Sequence, residues 1–378
     1  MSFNLRLRTL IVIGVGLWAT VELSSIGLIA SDWPLPRGNA AATGTSPDAV
    51  PEKPSLLWEL ALGGTGFEGT PVIANQTIFL ADIDGRMVAI DLLLGKLKWE
   101  KKFDTGFTAP ASLLENHVFI GDYDGKFRCL KVEDGSEVWS FQTDAQIDAG
   151  ANFYGKNVLI TSEDGNLYCL AQTDGKLVWK YGTGDQLRCG ATLSDNLTFL
   201  GGCDSKLHIV NVELGTSAHA AGNLEAPTGS TPAVADGLAI VPTHAGDLFA
   251  LKAKDGTQVW KLHDPKLAQE FQNSVAIAEG LVIASSHNRR VFAVDLKTGE
   301  KKWDVTLRKR ADSSPVVAGN KVIVAATDGR VLLLDLLTGG ELWMFEVKGS
   351  FIASPAVADH RIVVASDKGT VFCFGEQP

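Results

Sequence analysis

Along most of the chain, short apolar runs such as Thr77-Ile78-Phe79-Leu80 and Val322-Ile323-Val324 alternate with turn-forming pairs. Runs of this length, rich in β-branched side chains and bounded by aspartate and glycine, predict β-strands. Asp84-Gly85, Asp124-Gly125, Asp164-Gly165 and Asp328-Gly329 are the clearest turns; Asp204-Ser205, Ala245-Gly246, Asn288-Arg289 and Lys368-Gly369 hold the same place in altered form. An Asp-Gly pair between such runs is a hairpin signal, because a type I′ turn needs positive φ at both central residues. Ahead of each hairpin lies a small-residue and proline segment, as in Gly69-Thr70-Pro71, Ser230-Thr231-Pro232, Ser313-Ser314-Pro315 and Ser354-Pro355, followed by a further apolar pair. Each unit therefore has four strands. The third strand is apolar throughout rather than alternating, which predicts burial on both faces. At one position in it stand Ala89, Cys129, Cys169, Ile209, Ala250, Ala293, Leu333 and Cys373, where cysteine acts as a small hydrophobe.

Tryptophan gives the period. Trp58, Trp99, Trp139, Trp179, Trp260, Trp303 and Trp343 recur at intervals of 40 to 43 residues, with one copy missing near His219. Four-stranded units of this length are propeller blades, and the chain holds eight of them. The predicted fold is all-β: an eight-bladed β-propeller of four-stranded antiparallel blades spanning residues 55–378. The last unit stops three strands in, while Leu56-Leu57-Trp58-Glu59-Leu60 is a tryptophan strand with nothing before it. This N-terminal strand is expected to complete the last blade and leave no open edge at the seam. The missing tryptophan, at Ser217-Ala218-His219-Ala220, reads as drift that intact neighbours tolerate.

The first 54 residues follow a different pattern. Arg6 and Arg8 precede an apolar stretch from Leu10 to Val21, and apolar sequence resumes after Glu22. Residues 1–30 fit either a cleaved signal peptide or a retained signal anchor, and in both cases the propeller is exported to the periplasm or cell envelope. No cysteine precedes Cys129, so the pattern offers no lipidation site. Residues 31–54, rich in Pro, Gly, Ala and Ser, read as an extended linker. Five cysteines in an exported chain leave one unpaired; Cys189 and Cys203 lie at strand ends that antiparallel folding brings together, and are the candidate disulfide.

A formal net charge of −10 gives no electrostatic footprint for nucleic acid. Two basic clusters, Arg289-Arg290 and Arg308-Lys309-Arg310, read first as solvated loop charge. No paired metal-binding cysteine pattern, nucleophile elbow or phosphate-binding glycine loop is present. His263, Asp264 and Glu270, in the one extended loop, lack ligand spacing and read as a polar loop.

The pattern Ala89-x-Asp91-x-x-x-Gly95-x-x-x-Trp99, repeated through Ala293, Asp295, Thr298-Gly299 and Trp303, resembles the tryptophan-docking repeat of the PQQ-like (quinoprotein-type) propellers. That family includes quinoprotein alcohol dehydrogenases and the propeller lipoprotein of the outer-membrane β-barrel assembly machinery. Asp32-Trp33-Pro34-Leu35-Pro36-Arg37-Gly38 resembles a lead-in found before exported propellers of this kind. The resemblance implies that the seven repeat tryptophans form a structural girdle. For a dehydrogenase it would also imply PQQ held between a tryptophan and a disulfide of adjacent cysteines, with calcium nearby. No two cysteines are adjacent here, and every propeller tryptophan is assigned to the girdle. No catalytic, cofactor or metal residues are therefore assigned. The expected role is a non-catalytic scaffold for protein binding or envelope assembly, with a protein partner and, if the N-terminal segment is retained, membrane association; the alternatives are a PQQ- and calcium-dependent oxidoreductase or a ligand-binding sensor. At the start of the innermost strands, Asp148, Arg188 and Gln272 stand out among small residues and mark the channel mouth. They join Arg308, Lys309 and Arg310 as candidate partner contacts. Asp148 and Arg188, in adjacent blades, are expected to pair with each other.

Overall fold

The computed structural model describes residues 31–264 and 270–377, so the expected signal or anchor at residues 1–30 lies outside the described residues. The apolar runs form eight antiparallel sheets arranged as consecutive blades of a ring. The first blade shows the pattern: a short inner strand Val72–Ala74, then Thr77–Ala81, Arg86–Asp91 and an outer strand Leu97–Lys102. The second and third strands are buried along almost their whole length, as their unbroken apolar sequence requires, and adjacent blades pack on one another through them.

Closure follows the expected route. Ser55–Ala61 pairs antiparallel with Thr370–Gly375, placing Trp58 opposite Cys373, so the beginning and end of the propeller share one blade. In the other complete blades the equivalent third-strand residue likewise faces the tryptophan, for example Ala89 with Trp99, Ala293 with Trp303 and Leu333 with Trp343.

The girdle has a specific construction. Six of the seven tryptophan rings, Trp58 to Trp303, lie on the glycine of the following blade: an added Cβ on Gly299 would come within 2.8 Å of Trp260, and one on Gly339 within 2.6 Å of Trp303; Trp343 instead packs edge-on against Phe374 of the last blade. The indole Nε1 of Trp58, Trp99, Trp139, Trp260 and Trp303 donates to a carbonyl of that same turn, for instance Trp303 to Leu336 at 2.8 Å. The repeat glycine therefore serves twice, permitting positive φ in its turn and leaving room for a ring from the preceding blade. Where the tryptophan is missing, the outer strand is broken into Thr216–Ser217 and Gly222–Asn223, and the backbone of Ala220 and Gly222 fills the space beside Gly256.

The segment expected to be a linker is instead part of the ring. Residues 33–48 form a strap that runs around the channel and meets the inner strand of every blade in turn. Trp33 exchanges both backbone hydrogen bonds with Ile73. Pro34, Ala40, Ala41, Thr43 and Gly44 then accept from the N–H groups of Leu113, Leu193, Val234, Ile277 and Val317. Asn152 reaches Ala40 with its side chain, Thr45–Ser46 pairs parallel with Val317–Ala318, and Ser46 donates to Val357 of the last blade. The innermost strands would otherwise present an unpaired edge to the channel, and the strap satisfies it. Trp33 is fully buried as a result.

The expected Cys189–Cys203 disulfide is also corrected. All five thiols are free. Cys189 points into the inter-blade core and donates to the carbonyl of Gly201, while Cys203 sits in the turn with its N–H on Gln186. Burial pushes the Cys189 thiol up to about 12, so it stays protonated and unreactive.

Candidate functional site

The ring has two unlike faces. On one, turns from inner to second strands and from third to outer strands surround the strap. The other carries the hairpin turns between second and third strands and the connectors between blades. The central channel opens on this second face and is closed at the far end by Leu35, Pro36, Arg37, Asn39 and Ala42 of the strap, leaving a cavity of ≈ 250 Å³.

Asp148, Arg188 and Gln272 line this cavity together, as expected from their place at the start of the inner strands. Asp148 and Arg188 do not form the direct pair that adjacency suggested. Glu163, immediately before the Asp164-Gly165 turn, stands between them: Arg188 Nε lies 2.7 Å from Glu163 Oε1, and Glu163 also engages Asp148. Asp148 accepts further bonds from Thr108 Oγ1 at 2.8 Å and from Gln146 Nε2. Burial and the adjacent Asp148 carboxylate hold Glu163 above the usual carboxylate range, against the opposing pull of Arg188. Sequence reasoning missed Glu163 because it belongs to the turn, which the chain spacing separates from the inner-strand positions. Arg188 remains half exposed beside Gln186, within reach of a partner.

The second basic cluster lies on the same open face. Arg308, Lys309 and Arg310 line a groove together with His287, Arg289 and Thr327. Arg308 spans Asp328 at 2.9 Å and Glu346 at 2.7 Å, and Arg310 holds Asp312. Lys309 is exposed and has no carboxylate within ion-pair distance among the described residues. The structure thus brings all six candidate contacts onto one face, in two groups. His263, Asp264 and Glu270 engage three different neighbours: Asp247, Lys301 and His244 respectively.

Eight four-stranded blades, with tryptophan-on-glycine stacks at six of their junctions, define a PQQ-type propeller. The family model described as outer membrane protein assembly factor BamB matches residues 49–151, 128–336 and 289–376, and the chain belongs to that family. No curated protein sequence matches it. Among solved structures, BamB from Moraxella catarrhalis superposes with a TM-score of 0.73 at 20% identity, over 86% of this chain and 98% of its own. The computationally designed Ika8 protein gives 0.75 at 17% identity, over 85% and 99% of the two chains. Quinohemoprotein alcohol dehydrogenase from Comamonas testosteroni gives 0.79 at 15% identity, over 92% and 81%. Identities this low carry the fold and leave the chemistry to the site.

The channel does not fit the clamp that the resemblance implies for PQQ. The described residues that line it include no aromatic ring and no cysteine; they are small, aliphatic, amide, hydroxyl and charged side chains. The girdle tryptophans lie at the periphery, each committed to the next blade. Among the described residues no three His, Cys, Asp or Glu side chains converge as metal ligands.

Proposed function

We propose that this protein is an exported cell-envelope scaffold that binds a protein partner through the open face of its propeller, without a resident cofactor. The observation that carries this reading is the asymmetry of the ring. The strap covers the inner-strand edges on one side, while Asp148, Arg188, Gln272, Arg308, Lys309 and Arg310 cluster on the other. A rigid disc with one face tied down and one face bearing partly exposed charge is suited to docking, where charged groups set register and on-rate. Membership of a family named for an outer-membrane assembly factor supports an envelope location and a protein partner.

Site-directed photo-cross-linking in cells tests it. A cross-linker at Lys309, on the open face, should give a discrete adduct with one partner, and Arg188→Glu with Arg308→Glu should abolish that adduct. The same cross-linker at exposed Lys156, on the strap side, should not capture that partner. Equal capture at both positions, or none at Lys309, would overturn the assignment of the face.

A further inference from the structure

The strap carries one residue that closing the channel does not explain. Arg37 is only 7% exposed, and its Nη2 donates to the carbonyls of Val275 at 3.0 Å and Pro315 at 2.8 Å. Nε and Nη1 are buried with no hydrogen-bond partner, and no carboxylate lies within ion-pair distance among the described residues. Burial alone lowers its pKa to about 9, so the guanidinium still carries its charge at neutral pH. A buried cation without a counter-ion is costly, and unpartnered buried donors add to the cost. An ammonium or an apolar side chain could fill the same space, so closing the channel does not require this group.

Its surroundings are rich in donors. Thr231, Ser274, Ser314 and Ser354 line the same cavity. Each hydroxyl oxygen accepts a backbone N–H from the preceding blade: Gly190 to Thr231 at 2.9 Å, Thr231 to Ser274 at 3.0 Å, Ser274 to Ser314 at 3.0 Å and Ser314 to Ser354 at 2.9 Å. A hydroxyl whose oxygen is used as an acceptor still has its proton to donate. Ser274 and Ser314 immediately precede the two residues whose carbonyls hold Arg37. The closed end of the channel therefore combines a fixed positive charge with a half-ring of O–H donors.

We propose that the closed end of the channel is a binding site for one small oxyanion, a carboxylate or phosphate group. The guanidinium of Arg37, which lines the cavity, supplies the charge, and the hydroxyls of Thr231, Ser274, Ser314 and Ser354 supply the donors. A cavity of ≈ 250 Å³ admits a small metabolite as well as a free ion. The site lies at the other end of the cavity from Asp148, Arg188 and Gln272 and stands whether or not the scaffold reading holds.

Calorimetric titration of the full chain at fixed ionic strength, with sodium phosphate or sodium acetate against a sodium chloride background, tests the proposal. Either anion should give a saturable isotherm with one site, and the better of the two identifies the class. Arg37→Met should weaken it by about tenfold or more, the loss expected for charge-assisted hydrogen bonds. Arg188→Gln, at the mouth, should leave the site able to bind. No binding above chloride, or binding lost in Arg188→Gln and kept in Arg37→Met, overturns the proposal. Should Arg37→Met fail to fold, crystals of the unaltered protein grown with selenate decide the matter: an anomalous peak beside Arg37 and the hydroxyls of Ser274 and Ser314 supports the site, and no peak there rejects it.

Discussion

At the residue scale, the repeat is a contract between tryptophan and glycine in successive blades. Trp303 is 8% exposed, bonded to Leu336 and seated on Gly339. Trp303→Ala should cost about 3–5 kcal/mol, as expected when a large buried aromatic is truncated. Gly339→Ala meets two penalties, a φ of 71° and a Cβ 2.6 Å from the ring, whereas Gly237→Ala meets only the first, with φ 74° and open space around it. Urea denaturation should show roughly 1 kcal/mol of loss for Gly237→Ala and a clearly larger loss for Gly339→Ala. Equal losses would mean that the stack contributes nothing to the choice of glycine. The sequence exposes the tryptophans and turn glycines because both recur; their meeting across blades is hidden, since a ring such as that of Trp303 rests on a glycine 36 residues further on. Trp179 shows the same contract weakened: it lies on Gly215 but its Nε1 has no acceptor, next to the blade whose own tryptophan is lost.

At the element scale, the turn between third and outer strands is capped in two interchangeable ways. Asp91, Asp295 and Asp335, four residues before the glycine, accept two N–H groups of the turn that follows, as Asn211 also does. Where lysine or alanine replaces that residue, Asp134, Asp174 and Asp255 stand directly before the glycine and accept from the residue after it. What looks like degeneration of the repeat is thus a change of capping chemistry. Hydrogen bonds from Thr298 and Thr338 hold Asp295 and Asp335 below the ordinary value of 3.8, and bonds from Ser136, Lys176 and Thr257 lower Asp134, Asp174 and Asp255. Because these folded pKa values are depressed, their contribution is complete above the unfolded value and is lost as pH falls through the folded one. Thermal melts should therefore be flat through neutral pH and drop below about pH 4, with Asp335→Asn showing a shallower acid limb. The strands were legible in the sequence because their signals are local: apolar runs, Asp-Gly turns and tryptophan spacing. The strap was not. Its composition matches a linker, and its bonds run from backbone carbonyls to strand edges far along the chain, which no short-range pattern records.

At the scale of the whole molecule, two N-terminal pieces do different work. Ser55–Ala61 closes the ring, and the strap lines its inner edge. Deleting residues 32–50 should leave a closed propeller whose Leu113, Leu193, Val234, Ile277 and Val317 amides exchange with solvent faster, readable by hydrogen-exchange mass spectrometry. Deletion through Ala61 should expose Thr370–Gly375 as an edge strand and give an aggregating product. Unchanged exchange after the shorter deletion would show that the strap's hydrogen bonds do not form in solution. Adding PQQ with calcium should leave the melting temperature unmoved, since the channel wall has no ring or cysteine pair to hold the cofactor, whereas a ligand bound only by the folded form would raise it. Of the six candidate contacts, inner-strand position revealed the three at the mouth and composition the basic trio. Glu163 and Arg37 escaped because one sits in a turn and the other in the strap, and only folding brings either to the channel.

The strap also sets an order of events. It is among the first parts of the propeller to be synthesised, yet its hydrogen-bonding partners run from Ile73 in the first blade to Val357 in the last. Contacts so distant along the chain can form only after the intervening segments exist. The strap can be tied down only blade by blade, its Ser46 end waiting unpaired until the final blade has emerged, so that sealing the channel is completed in the last step of assembly: a built-in check that all eight blades have been made.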